Sequence, residues 1–153
     1  MPVVTSMKLC SSCLLGIKCK YNGESNKNQK IIELSKTETL MACCPEYAGG
    51  LPTPRDPSEI VEGDGYDVLD GKAKVMTKNG IDVTSEFIKG ANKTLEQAKT
   101  NNIKIAILKQ RSPSCGSGQI YDGTFSGKIK TGDGVTTALL KRNNIKVLSE
   151  DSI

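Results

Sequence analysis

Six cysteines and no histidine define the chemistry open to this 153-residue chain. Cys10, Cys13 and Cys19 lie near the N-terminus, Cys43 and Cys44 follow mid-chain, and Cys115 stands alone. A thiolate is both a strong nucleophile and a soft metal ligand, so sulfurs that converge in space can serve either purpose. Without histidine a Cys–His nucleophile pair is excluded, and any thiolate site is built from sulfur and oxygen. Cys10-Ser11-Ser12-Cys13 also fits the C-x-x-C redox spacing, but without the surroundings of a thioredoxin-like site.

The elements that must position these residues follow from apolar pattern and turn residues. Met7 to Cys10 predicts a short strand. Ile31, Ile32 and Leu34 give the stripe of a helix from about Asn26 to Lys36, and Thr39 to Cys43 reads as a second strand. This β-α-β order favours parallel pairing with a right-handed crossover. Pro45 to Tyr66 is rich in Pro and Gly and lacks periodicity, as functional or mobile loops do. Val68 to Met76 and Ile81 to Val83, split by Lys78-Asn79-Gly80, predict a hairpin.

Thr84 is the expected N-cap of a helix over roughly 85–101, with Phe87, Ile88, Ala91, Leu95 and Ala98 on its buried face. Ile103 to Leu108 is the clearest strand. Glycines punctuate Ser112 to Gly134, where no helix or long strand is expected. A last helix from Val135 to Arg142 and a strand from Ile145 to Leu148 complete the chain. The expectation is one α/β domain over 1–153. Its small, mainly parallel sheet is flanked by helices, with long Gly/Pro-rich loops at the strand carboxyl ends.

The length suffices to bury roughly two-thirds of the unfolded surface, so a core forms without disulfides. The net charge of +4 is spread among scattered lysines, and two Phe and four Tyr are the only stacking surfaces. That argues against a nucleic-acid-binding face. No apolar run approaches the ~20 residues of a membrane span, and Met1 to Leu9 is too short and polar for a signal-peptide core. The expected setting is the reducing cytoplasm, where clustered cysteines bind metal or do chemistry.

In a parallel sheet, ligands bind outside the carboxyl ends of the strands. Cys13 follows the first strand, Cys44 ends the second and Cys115 lies in the loop after Ile103–Leu108, so all three project from one sheet edge. Three thiolates with no histidine suit an iron–sulfur cluster or a soft metal, and three ligands leave one iron of a four-iron cluster open to substrate. Cys10 and Cys43 read as small buried residues. Cys19 is a fourth ligand, a sulfur acceptor or a buried residue beneath the loop.

The strings Cys13-Leu14-Leu15-Gly16, Cys19-Lys20-Tyr21-Asn22-Gly23 and Cys44-Pro45-Glu46 resemble one family. So do Gly49-Gly50-Leu51-Pro52-Thr53-Pro54-Arg55, Ser112-Pro113-Ser114-Cys115-Gly116, Gly118-Gln119-Ile120-Tyr121-Asp122-Gly123-Thr124-Phe125 and Gly132-Asp133-Gly134-Val135-Thr136. This is the thiouracil desulfidase-like family, catalogued as domain of unknown function 523. The resemblance implies a [4Fe–4S] cluster on Cys13, Cys44 and Cys115 that removes sulfur from a thiolated pyrimidine or related thioamide without net redox change. Cys43 beside Cys44 leaves the ligand ambiguous by one position. Cys44 is preferred because it belongs to the Cys-Pro-Glu string.

In that reading an open iron polarises the C=S carbon and water attacks it. Glu46 is the candidate base, its pKa raised by a dry, sulfur-lined pocket. Ser112 or Ser114 orients the water or bonds a pyrimidine carbonyl, against the plain turn role of serine. Lys109 and Arg55 are candidate anchors for a carbonyl-bearing or anionic substrate, against the usual solvated role of long cations. The partner is a small thiolated molecule, with no nucleic-acid polymer and no membrane, and a homodimer is left open. The other readings are a cluster-free thiol redox or persulfide-carrying protein, and an interaction domain built on structural zinc.

Overall fold

A computed structural model describes residues 7–153, so the signal-peptide reading of Met1 to Leu9 lies largely outside the described residues. Four strands form one parallel sheet in the order β2-β1-β5-β8. They are β1 (Met7–Ser11), β2 (Thr39–Cys43), β5 (Ile105–Leu108) and β8 (Lys146–Ser149). Pairing is in register from Met7↔Thr39 to Ser11↔Cys43 on one side of β1 and through Cys10↔Ile107 on the other. β5 then runs beside β8 from Ile105↔Lys146 to Leu108↔Ser149. Every strand of this sheet therefore ends at the same edge.

Alternation of side chains sends each strand's residues to two different cores. Leu9, Ala106, Leu108 and Val147 pack with Leu95 and Ala98 of α4 (Thr84–Thr100) and Leu140 of α5 (Val135–Arg142). Cys10 and Ile107 face the other way, onto Leu14 and onto Ile31 of α1 (Gln29–Ser35). Burial on both faces is the normal state of a parallel sheet. Asn28 caps α1, its side chain accepting from the Ile31 N–H at 3.2 Å.

The middle of the chain departs from the expected hairpin. Val68 belongs to a short helix, α3 (Gly65–Leu69), closed by an Asp64–Asp67 capping box. β4 (Lys74–Thr77) pairs antiparallel with β3 (Ser58–Val61), which lies in the stretch expected to be loop. The turn at Lys78-Asn79-Gly80 does form, but its return is a single bridge, Met76↔Asp82. Ile60, Val75, Val83 and Phe87 gather into a third core, and burying those side chains favours β3 as the partner. Thr84 is the first residue of α4 instead of its cap: its hydroxyl accepts from the Val75 N–H, and the Asp82 carboxylate accepts from the Thr84 N–H.

The rest of the Gly/Pro-rich stretch carries α2 (Pro45–Ala48), one turn with Pro45 at its first position. A second antiparallel pair, β6 (Gln119–Tyr121) and β7 (Ile129–Thr131), lies in the glycine-rich segment. Among the described residues no helix is long and apolar enough to cross a membrane.

Candidate active site

The carboxyl edge of the sheet opens into a cavity of about 440 Å³. Cys13, Cys19, Cys43, Cys44 and Cys115 line it, with Glu46, Arg55, Lys109, Ser112 and Ser114. Cys10 is not part of this wall. It is fully buried under α1, and burial pushes its thiol up to about 12. The distant cysteines therefore do converge, by the strand-end route that the β-α-β pattern implied.

Each thiol is placed by a local device. Cys13 sits in a single 3-10 turn directly after β1, and its carbonyl accepts from the Asn26 N–H at 3.1 Å. Cys44 is the N-cap of α2, and its thiol donates to the Cys19 carbonyl oxygen at 3.9 Å. α2 itself is fixed by a glycine crossing: a Cβ on Gly90 would lie 1.9 Å from the Pro45 carbonyl oxygen, and one on Gly49 would lie 2.0 Å from the Glu86 carbonyl oxygen. Only two glycines let α4 approach the Cys44-Pro45-Glu46 turn this closely. Cys115 is held by the Ser112 hydroxyl, which accepts from the N–H groups of Ser114 and Cys115 at 3.0 Å each.

Cys19, unassigned by sequence, is the hub of the trio. The neighbouring Cys19 side chain is the main reason the Cys13 thiol is lowered to about 7 and that of Cys44 to about 6. Cys19 is itself raised well above the ordinary thiol value by its neighbours Cys13 and Cys44. Burial raises the thiols of Cys115 and Cys43, the latter packed in the core with Leu9 and Ala98. Of the adjacent pair, Cys44 carries the thiolate-favouring contacts and Cys43 the apolar ones.

Glu46, in the first turn of α2, has a partner that the sequence did not indicate. Nε and Nη2 of Arg55 both bond Glu46 Oε2, while Nη2 also donates to the Cys19 carbonyl at 3.0 Å and Nη1 to Thr53 Oγ1 at 3.0 Å. Arg55 is thus committed inside the site and is not an open anchor. Lys109 is likewise paired, with Glu150 Oε2 at 2.9 Å. The Ser114 hydroxyl lies 2.8 Å from that of Thr136, and Ser114 and Ser11 both contact the Cys115 sulfur. Ser11 also accepts from the Lys109 N–H at 2.9 Å. It is a site residue with no sequence signal beyond its position at a strand end.

The donor set can be tested against a metal group. All six cysteines are free thiols. Among the described residues no three Cys, Asp or Glu side chains gather closely enough for a single ion. A cavity lined by cysteine sulfurs, with no imidazole in the chain, fits the donor chemistry of an iron–sulfur group.

Comparison with known proteins follows this geometry. The family model for 2-thiouracil desulfurase matches residues 9–152. An uncharacterized protein of Bacillus subtilis (strain 168), YbbK, is 52% identical over 147 residues, covering 96% of this chain and 97% of that one. A solved structure described as the [4Fe–4S]-dependent thiouracil desulfidase TudS superposes with a TM-score of 0.85 at 42% identity, covering 97% of this chain and 93% of that one.

Proposed function

The chain belongs to the 2-thiouracil desulfurase family, and on that premise we propose that it is a [4Fe–4S]-dependent desulfidase. It replaces the C=S of a thiolated pyrimidine or related thioamide by C=O. The balance is one thiocarbonyl and one water giving one carbonyl and hydrogen sulfide, with no net electron transfer. Convergence of three strand-end cysteines on one cavity, in a chain that matches the family from 9 to 152, is the observation that carries this reading.

Cys13, Cys44 and Cys115 would hold the cluster. When bound it would supply a soft Lewis acid with affinity for a thiocarbonyl sulfur. The chain's own residues do the rest. Glu46 takes the proton of the attacking water: Arg55 is bonded to Oε2, which leaves Oε1 as the acceptor. The Ser112 oxygen already accepts two N–H bonds, so its own proton is available to donate to the substrate carbonyl or to orient the water. Ser114, shared with Thr136, holds the Cys115 loop. The substrate is a small molecule, and a reducing cytoplasm keeps the six thiols free.

Anaerobic reconstitution with iron and sulfide tests the reading. About four irons per chain are expected for such a cluster, with release of sulfide and uracil from 2-thiouracil. Cys13→Ala, Cys44→Ala and Cys115→Ala each lose iron, whereas Cys10→Ala keeps it. A wild-type protein that retains close to zero iron, or retains zinc instead, sinks the proposal and leaves the cluster-free thiol or zinc readings.

A further inference from the structure

The cysteine edge is one wall of the cavity, and another comes from outside the parallel sheet. Of the chain's six aromatic residues, Tyr21, Tyr121 and Phe125 line the cavity. Phe125 lies in the loop joining β6 to β7, and its backbone is left-handed at φ +56°. Such a conformation is disfavoured for a bulky residue and persists only where its surroundings enforce it.

The enforcing group is Glu59 of β3. Its Oε1 accepts from the Gly123 N–H at 2.9 Å and from the Phe125 N–H at 3.1 Å. The residue is 8% exposed, and none of the ion pairs among the described residues includes it. A desolvated carboxylate is therefore committed to the two amides of this loop. Gly123 makes the approach possible: it has φ +90°, and a Cβ there would lie 2.5 Å from the Ile60 carbonyl oxygen.

Resting on the desulfidase reading, we propose that Phe125 is the residue that recognises the face of the substrate ring, and that Glu59 is its positioning residue. A thiopyrimidine offers polar groups and sulfur only at its edge, and both faces of its ring are flat and apolar. Cysteines, Glu46 and Ser112 can read the edge, but none of them can cover a face. An aromatic side chain at the cavity wall, its backbone tied down by Glu59, does so at reduced entropic cost and favours planar heterocycles over aliphatic thioamides.

The test uses the reconstituted holoprotein, with KM and kcat for 2-thiouracil, the equilibrium Kd for uracil, and iron content. Phe125→Ala and Phe125→Leu raise KM and the uracil Kd on the order of tenfold, the scale of losing one base-stacking contact. Iron per chain and kcat stay near wild type, and Phe125→Tyr restores binding. Glu59→Ala reproduces the loss and speeds amide exchange in the 123–125 loop. Glu59→Gln, whose carbonyl can accept the same bonds, does not. The double variant Glu59→Ala/Phe125→Ala is no worse than Phe125→Ala, because Glu59 acts through Phe125. Wild-type KM and Kd in Phe125→Leu with full iron overturn the proposal, as does a Glu59→Ala variant that loosens the loop with no change in KM. Turnover by wild type tests the desulfidase reading separately. If turnover is absent, the uracil Kd series still decides between stacking and no stacking.

Discussion

Cys44 and Cys13 differ from the other thiols in being lowered, with the Cys19 side chain as the main cause, and that difference is measurable in cluster-free protein. Thiolate is the reactive form. With Cys44 at about 6 and Cys13 at about 7, both are ionised at pH 7.5, whereas Cys10 at about 12 is not. Alkylation by iodoacetamide at pH 7.5, followed by peptide mass spectrometry, is expected to modify Cys44 first and Cys13 next, leaving Cys10 and Cys43 unmodified. Lowering the pH protonates Cys13 as it passes about 7 and Cys44 as it passes about 6, so their labelling rates fall in that order. Early labelling of Cys10 would contradict the assignment. Glu46 gives a second residue-scale prediction: Glu46→Gln keeps iron but lowers kcat by roughly a hundredfold, the low end of what general-base catalysis supplies. Arg55→Ala, which leaves Glu46 unpaired in a half-closed cavity, costs about 3 kcal/mol of stability by denaturant titration.

At the scale of elements, α2 is the weak joint. It has four residues, too few to be stable alone, and its placement depends on the crossing with α4 at Gly49 and Gly90. Gly90→Ala forces backbone apart there. The expected cost is about 1–3 kcal/mol of overpacking, seen as a lower thermal midpoint and poor iron retention, because Cys44 moves with α2. Lys93→Ala, on the exposed side of the same helix, changes neither. The elements also show how far pattern carries. Periodicity located α4 and α5 to within a residue or two and the strand Ile105–Leu108 inside its apolar run. It misplaced the partner of β4, because Val68 fits a helix or a strand equally by local pattern. The choice of β3 is made by burial of Ile60, Val75 and Phe87 together.

For the whole molecule, the three cores explain why the cluster is expected to add stability without creating the fold. Leu9, Ala106 and Leu108 on one face and Ile107 and Ile31 on the other are covered by helices independently of the cavity. Anaerobic removal of iron should therefore leave the far-UV circular dichroism unchanged while lowering the midpoint of thermal unfolding, as expected when a ligand binds only the native state. Complete loss of secondary structure would show that the site is a folding nucleus. The sequence alone determined the parallel α/β frame and the meeting of Cys13, Cys44 and Cys115 at one edge. Both follow from local periodicity and from the handedness of a β-α-β crossover, which a chain of L-residues has little freedom to reverse. Only the tertiary structure decided that Arg55 serves Glu46, that Cys19 sits beside Cys13 and Cys44, and that Glu59 holds the loop of Phe125. Those pairings join residues 6 to 66 positions apart. Neither partner carries a local signal for the other, so each is fixed only when packing brings the segments together.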